Sequence, residues 1–180
     1  VVVDSNSTDR TLEIANRHGA LMAYPSDWPG FGPQKNRALD LATGEWVLSL
    51  DADERLTPAL RSEILNAIHH NAQVDCFAIP RLSWYCGRFI RHSGWSPDYV
   101  DRLFRRGTAR FSDDLVHERL IPNGTVAKLE NPMLHYSFMN YAQVLDKLNR
   151  YSTASAEQAF AKGKTSNPLK AVVHGIWAFL

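Results

Sequence analysis

Three features that would place a chain quickly in a familiar class are scarce in this sequence. It has only two cysteines in 180 residues, Cys76 and Cys86, too few for a disulfide framework or a zinc site of paired cysteines. Its 20 Lys and Arg nearly balance its 19 Asp and Glu, so a net charge of +1 provides no field that attracts nucleic acid. Its apolar runs are shorter than the roughly 20 residues that span a bilayer. We therefore expect a reducing compartment, no nucleic-acid partner and no membrane-spanning segment.

What the sequence does contain is the composition of a folded domain, 44% hydrophobic and 22% charged. Apolar stretches of strand type alternate with amphipathic stretches of helix type along its first part. The pattern predicts strands at 1–3, 20–24, 45–50 and 76–79, and helices at 10–18, 34–43 and 58–70. Thr57 followed by Pro58 is typical of a helix start. The chain opens on Val1, already inside an apolar run, so we expect further sequence upstream of it.

This alternation predicts an α/β fold in which helices flank a mainly parallel sheet and ligands bind at the carboxyl ends of the strands. Strand 45–50 is apolar almost throughout, as strands buried on both faces are. Between 85 and 136 the pattern changes to short strands that extend or cap the sheet, and 140–162 predicts a long amphipathic helix. We expect one main domain over 1–138 and a C-terminal helical segment over 139–180.

Acidic residues follow two of the predicted strands. Asp51 and Asp53 come directly after strand 45–50, and residues two apart in an extended chain point to the same side. Two such carboxylates suit Mg²⁺ or Mn²⁺ bound to a diphosphate. The alternative is that Asp51 ends the strand and Asp53 caps the turn before the next helix. A second acidic loop, from Asp4 to Asp9, follows strand 1–3; we expect it at the same edge of the sheet, with Asp9 capping a helix and Asp4 free to bind a ligand.

Seven motifs resemble, in order and spacing, those of the inverting glycosyltransferase family 2. The first three carry most of the resemblance: VVDSNSTDRT at 2–11, QKNRAL at 34–39 and GEWVLSLDADE at 44–54. It continues through GWSPD at 94–98, RLFRR at 102–106, VHE at 116–118 and LHYS at 134–137. The whole set is similar to the branch of that family comprising the lipopolysaccharide core β-1,4-glucosyltransferases.

The resemblance implies a GT-A fold, a Rossmann-like nucleotide-sugar fold whose first strand and helix would lie upstream of Val1. It implies that Asp4 contacts the nucleobase, that Asp51 lies near the ribose and diphosphate, and that Asp53 is the ligand of a Mn²⁺ or Mg²⁺ cofactor. Lys35, and less directly Arg37, would lie near the diphosphate. A solvated helix face is the alternative for both cations.

Inverting transfer needs one carboxylate that takes the proton from the acceptor hydroxyl. Glu118 is our first choice for this catalytic base and Asp114 the second. The Glu-Asp pair of many family members is not present as such. His117 is either a further metal or phosphate contact or a structural residue. Trp95, and on the other side Trp28 and Phe31, are either stacking surfaces for a sugar or packing residues.

The expected reaction is transfer of a hexose, glucose from UDP-glucose, to a sugar of the lipopolysaccharide inner core or a similar glycan. Two other classes stay open: a metal-dependent phosphohydrolase or nucleotidyltransferase, and a carbohydrate-binding domain without turnover.

A basic region suited to a phosphorylated acceptor is formed by residues 89–92 with Arg102, Arg105, Arg106 and Arg110. Lysines precede the apolar run 172–180, which either lies on a membrane surface or packs on the domain. The expected location is cytoplasmic, at the inner face of the bacterial inner membrane.

Overall fold

The computed structural model describes residues 1–92, 94–113, 118–161, 163–164 and 167–179. The chain divides into two compact units, Val1–Tyr141 and Ala142–Leu180. Among its described residues, the first unit contains three helices: α1 (Thr11–Arg17), α2 (Phe31–Asp40) and α3 (Pro58–His70). Its strands are β1 (Val2–Val3), β2 (Met22–Ala23), β3 (Trp46–Leu48), β4 (Glu54–Leu56), β5 (Cys76–Tyr85), β6 (Arg88–Phe89), β7 (Asp98–Arg105), β8 (Ala109–Phe111), β9 (Leu120–Pro122), β10 (Val126–Lys128) and β11 (Met133–Phe138).

In the described part of the chain the main sheet has seven strands, and it is organised around β5, which is ten residues long. Its order is β3-β7-β5-β11-β4, and β6 and β10 also pair with β5. Two strands, β10 and β11, run parallel to β5, whereas β7 and β6 run antiparallel to it. Strands β1 and β2 form a separate parallel pair, and β8 and β9 form an antiparallel pair.

The α/β class is confirmed, but the expectation of a mainly parallel sheet is wrong for the described strands. Among them, five strand pairs are antiparallel and three are parallel. One reason is the two-residue turn between β5 and β6, where Cys86 and Gly87 both have positive φ. Such a short turn joins only antiparallel strands. Another is β4, which the sequence pattern missed and which runs antiparallel to β11.

Strand β3 is less buried than its apolar sequence indicates. Within the described residues it pairs with β7 alone, and all three of its residues are half-buried. Leu50, which follows it, is 43% exposed. β3 is therefore an edge strand of the described sheet, and the prediction that both of its faces are buried is wrong for these residues.

Hydrophobic residues cover both faces of the main sheet. On one face, Leu60 and Ile64 of α3 pack with Phe77 and Ile79 of β5. On the other, Leu39 of α2 packs in a cluster with Cys76, Phe104, Ala109, Phe111 and Leu120. Alternate residues of β5 thus serve opposite faces, as the period of a strand requires.

Helix α3 begins and ends where the sequence predicts. The hydroxyl of Thr57 accepts a hydrogen bond from the backbone N–H of Leu60 at 3.1 Å, and Pro58 is the first helical residue. The cap satisfies a backbone donor that the helix itself cannot satisfy.

The second unit consists mainly of two helices, α4 (Tyr141–Ala161) and α5 (Pro168–Phe179). Their positions agree with the expected amphipathic helix and the apolar run after it. In the portion of the chain that the structure describes, no helix has both the length and the apolar character needed to cross a membrane. Several apolar side chains of α5 are exposed, among them Leu169 at 73% and Trp177 at 80%.

Candidate active site

Helix α2 brings together loops that lie far apart in the sequence. Near its start, Gly32 packs directly against the backbone of Ser112. A Cβ atom built on Gly32 would lie 1.8 Å from the carbonyl oxygen of Ser112, so only glycine fits there. The same Cβ would lie 3.4 Å from the Cβ of Glu118. This close approach holds the first turn of α2 against the segments that precede β9.

Lys35 of α2 lies between two of the predicted site carboxylates. Its Nζ atom is 2.7 Å from Oδ1 of Asp51, which follows β3, and 2.7 Å from Oε1 of Glu118, which precedes β9. The three side chains are 17%, 33% and 16% exposed, so the pairs are partly shielded from water. Three residues that the sequence proposed for one site therefore do meet, and a single cation joins them.

A second cation, Arg102 of β7, lies on the other side of Asp51. Its Nη2 atom is 2.5 Å from Oδ2 of Asp51 and 2.7 Å from Oε1 of Glu54. Glu54 is buried, and its other oxygen accepts the backbone N–H of Asp51 at 2.8 Å. The Nε atom of Arg102 is buried without a hydrogen-bond partner in the part of the chain that is described. Glu54 and Arg102 therefore hold Asp51 from two directions.

The charge of Asp51 depends on these neighbours. Burial by itself raises the pKa of its carboxyl group, but the positive charges of Arg102 and Lys35 outweigh burial and bring the pKa below its usual value. Asp51 is consequently ionised at neutral pH. Sequence reasoning placed Arg102 only in a general basic region and gave Glu54 no role. Glu54 could have been found from its position in the sequence, because it directly follows Asp53.

Asp53 faces a histidine that the sequence analysis did not single out. Nε2 of His135, in β11, is 3.4 Å from Oδ2 of Asp53, and Nδ1 of His135 is 3.1 Å from Oγ of Ser83. The backbone N–H of Tyr136 donates to the carbonyl oxygen of Asp53 at 2.8 Å. The hydrogen bond from His135 lowers the pKa of Asp53. His135 could have been found from the sequence, because it is the second residue of the LHYS motif at 134–137.

The chemistry of Asp53 and His135 fits a divalent cation that is shared with a ligand. They offer one carboxylate and one imidazole, and the carboxylate side chain is 43% exposed. No group of three or more His, Cys, Asp or Glu that could hold a metal occurs among the residues described, so the protein by itself does not form a closed cage there. Mg²⁺ is commonly held by one or two carboxylates together with water and substrate phosphates. The carboxylate of Asp53 fits that arrangement.

Asp4 follows a strand of a different sheet from the strand that precedes Asp51, which corrects the expectation that both acidic loops share one sheet edge. Its β1 strand pairs with β2, apart from the main sheet. Asp4 is buried, and its Oδ1 accepts the backbone N–H of Ser7 at 2.9 Å. Gln34, the residue before Lys35, donates to Oγ of Ser5 at 2.7 Å. Helix α2 therefore connects the loop that carries Asp4 and Ser5 to Asp51, through Gln34 and Lys35.

Arg37, another predicted site residue, does not join this cluster. Arg37 pairs with Asp27 at 2.7 Å and donates to Gln34 at 2.8 Å, so it lies on an exposed side of α2. This exposed position agrees with the alternative reading of Arg37 as a solvated residue. Asp114 and His117 fall outside the described residues. The expectation that Asp9 caps α1 is wrong, because the N-cap residue is Arg10 and makes no side-chain cap; Asp9 precedes it and accepts the backbone N–H of Thr11 at 2.9 Å.

Comparison with known proteins assigns the chain to a family. The sequence model for Glycosyl transferase family 2 matches residues 1–154. The chain belongs to glycosyl transferase family 2, and its α/β structure is of the GT-A class expected from the resemblance. It is similar to the structure of S. aureus TarS, residues 1–349, with a TM-score of 0.54, 19% identity, and coverage of 75% of this chain and 50% of that one. This last likeness concerns the fold alone.

The curated relatives are longer than this chain. It is 30% identical over 175 residues to the lipopolysaccharide core biosynthesis glycosyltransferase LpsC of Rhizobium meliloti, which covers 91% of this chain and 63% of that protein. It is 29% identical over 191 residues to an uncharacterized glycosyltransferase of Rickettsia prowazekii, with coverage of 100% of this chain and 65% of the relative. The chain therefore spans slightly less than two thirds of the length of these relatives.

Proposed function

We propose that this protein is an inverting glycosyltransferase that transfers a hexose, glucose from UDP-glucose, to a sugar of the lipopolysaccharide inner core or a similar glycan. The observation that carries the proposal is the position of Lys35, whose ammonium group lies between Asp51 and Glu118. Lys35 lies in the first half of α2, and its ammonium group is the cation that a diphosphate bound beside Asp51 would contact. Membership of the family and the name of the relative LpsC support the choice of reaction and acceptor.

The donor nucleotide would occupy the region between Asp4 and Asp53. Asp4 would contact the nucleobase, Asp51 the ribose and diphosphate, and Lys35 the diphosphate. The positive end of α2 adds to the charge of Lys35. Asp53 and His135 would hold Mn²⁺ or Mg²⁺, which neutralises the diphosphate and makes it a better leaving group.

Glu118 would be the base that takes the proton from the acceptor hydroxyl. Lys35 separates it from Asp51, so that Glu118 lies across the cation from the donor carboxylates. An inverting transfer needs one such carboxylate on the acceptor side and no covalent intermediate. Asp114 stays the second choice for this role.

A lipid surface is the proposed partner of the second unit. Leu169, Val172, Ile176 and Trp177 of α5 are all more than half exposed. The sequence over 158–180 contains three lysines and no Asp or Glu, which favours anionic lipids. Co-sedimentation with vesicles of phosphatidylglycerol or of phosphatidylcholine tests this. We expect binding to the anionic vesicles alone, weakened by Trp177→Ala.

The donor site is tested by calorimetric titration with UDP and UDP-glucose, with and without Mn²⁺. We expect binding that requires Mn²⁺ and that Asp53→Ala abolishes, while Asp146→Ala, which removes an exposed carboxylate of α4, leaves it unchanged. Absence of nucleotide binding would contradict the proposal and favour a carbohydrate-binding role. Cleavage of UDP-glucose that is equally fast with and without glycan acceptors would instead indicate a phosphohydrolase.

A further inference from the structure

The hairpin of β5 and β6 extends the face of the sheet that carries Ser83 and His135. Ser83 and Tyr85 are two residues apart in β5 and therefore point to the same face. In the register with β11, Ser83 lies opposite His135 and Tyr85 lies opposite Phe138. Two residues of a strand span about 7 Å. Tyr85 therefore lies about 7 Å along β5 from Ser83, the residue paired with the histidine that contacts Asp53.

Three aromatic rings form a platform at this position. Tyr85 contacts Trp95 with ring centroids 5.5 Å apart and Phe138 with centroids 5.7 Å apart, both edge to face. Trp95 is 38% exposed, and its backbone N–H donates to the carbonyl oxygen of His92 at 3.3 Å. An exposed indole beside a phenol ring is suited to pack against the C–H face of a pyranose.

The platform carries positive charge. Arg88 of β6 lies opposite Tyr85 in the antiparallel register, so both side chains are on one face. Arg88 is exposed, as are Arg91 and His92, which follow it. The sequence over 76–97 contains no Asp or Glu. A guanidinium group binds phosphate or carboxylate with two parallel hydrogen bonds.

The opposite face of the hairpin has a different character. There Trp84, Phe89 and Tyr136 pack on one another, with centroid distances of 5.0, 5.6 and 6.0 Å. All three are half-buried, and each ring contacts the other two. That cluster stabilises the hairpin, which leaves Tyr85, Arg88 and Trp95 as the face available to a ligand.

We propose that Tyr85, Arg88 and Trp95 form a subsite for an anionic sugar unit of the acceptor, a pyranose that carries a phosphate or carboxylate group. The ring packs on Trp95 and Tyr85, and Arg88 binds the anion. This inference rests on the proposed function, because an acceptor must lie beside the donor site to react. It names the chemical class of acceptor that the site selects.

The test compares three probes on the same protein: glucose 6-phosphate, methyl glucoside and inorganic phosphate. Binding is followed by NMR shifts of the Trp95 indole N–H. We expect glucose 6-phosphate to bind about tenfold more tightly than either other probe, since it alone offers both the ring and the anion. Arg88→Ala should reduce its affinity to that of methyl glucoside. Trp95→Ala, followed on neighbouring backbone signals, should weaken both sugars, and Arg61→Ala, an exposed arginine of α3, should change neither.

Two results would overturn the subsite. One is a preference for glucose 6-phosphate that survives Arg88→Ala. The other is binding to phosphatidylglycerol vesicles that depends on Arg88 and Trp95 in a protein that binds none of the sugar probes, which would make the hairpin a lipid contact. A separate UDP titration of the wild-type protein distinguishes failure of the proposed donor site from failure of the hairpin subsite. Absent UDP binding contradicts the donor site, whereas the sugar probes report on the hairpin alone.

Discussion

Lys35 and Glu118 form an ion pair of 2.7 Å although 83 positions separate them in the sequence. The pair joins helix α2 to the segment before β9, and Lys35 contacts Asp51 from the same nitrogen atom. One ammonium group therefore holds the carboxylate proposed for the donor side and the one proposed as catalytic base. Replacing Lys35 should therefore weaken nucleotide binding more than it destabilises the fold.

We expect Lys35→Ala to weaken binding of UDP by about 10- to 100-fold, because a charge-assisted hydrogen bond to phosphate contributes roughly 1.5–3 kcal/mol. Calorimetric titration measures the change. Lys128→Ala, which removes an exposed lysine packed over Tyr99, is the matched control and should bind UDP as the wild type does. Equal affinities for all three proteins would show that Lys35 takes no part in nucleotide binding.

Arg102→Met should destabilise the protein by about 3–5 kcal/mol, since it removes the nearer cation of the buried Glu54 carboxylate, at 2.7 Å, and leaves the more distant Arg81, at 3.9 Å. The free energy of unfolding in urea checks this. Arg110→Met breaks an exposed ion pair with Asp40 and should cost less than about 1 kcal/mol. Adding Glu54→Gln to Arg102→Met should recover part of the loss. A similar effect of the two arginine substitutions would rule out a special role for the buried network.

Gly32→Ala should displace the start of α2, because the new Cβ atom would meet the backbone oxygen of Ser112 at 1.8 Å. We expect a loss of about 3 kcal/mol in stability, together with weaker UDP binding. Gly175→Ala in α5 is the control, since nothing lies within 4 Å of its added Cβ. That variant should be neutral or slightly more stable. Thermal unfolding of both distinguishes the outcomes, and unchanged stability of Gly32→Ala would contradict the close packing.

Glu63 should make stability depend on acid pH. Burial raises the pKa of its carboxyl group, but hydrogen bonds from the backbone N–H groups of Glu130 and Asn131 outweigh burial, so the folded-state pKa lies below its ordinary value of 4.5. A depressed pKa stabilises the fold above the unfolded-state pKa, and this stabilisation is lost as pH falls from about 4.5 through the folded-state pKa.

We therefore expect Glu63→Gln to cost on the order of 1 kcal/mol at pH 7 and progressively less below the ordinary pKa of the group. Urea unfolding at a series of pH values gives the comparison. Glu157→Gln, at an exposed position of α4, should differ little from the wild type at every pH. A cost that stays constant down to low pH would mean that the charge of Glu63 is not responsible.

The two cysteines should differ in reactivity. Burial, helped by the negative charges of Asp101 and Asp75, raises the pKa of Cys76 to about 12, so its thiolate is scarce at pH 8. Cys86 is exposed in the β5–β6 turn. A thiol reagent should label Cys86 alone in the native protein and both residues in urea. Rapid native labelling of Cys76 would contradict its burial.

The sequence predicted elements where a local signal marks their ends. Helix α3 is the clearest case, because Thr57 and Pro58 fix its start irrespective of what packs on it. Strands β1 and β3 and helix α2 were also placed within a few residues. Strand β4 was missed because it is three residues long and begins with a glutamate, whose charge is compensated by Arg102 and Arg81, both distant in the sequence. The pairing directions of the sheet were missed because strand pairing joins residues distant in sequence.

The same distinction between local sequence signals and long-range contacts applies to the candidate site. The sequence by itself determined which residue types follow the strands, and the order of its motifs pointed to the family that the comparisons establish. Only the tertiary structure decided that Lys35 contacts Asp51 and Glu118, that Arg102 and Glu54 hold Asp51, and that His135 faces Asp53. Those contacts depend on the packing of α2 and β11 beside β3 and β4. Charged side chains that attract one another across such distances leave no periodic pattern in the chain.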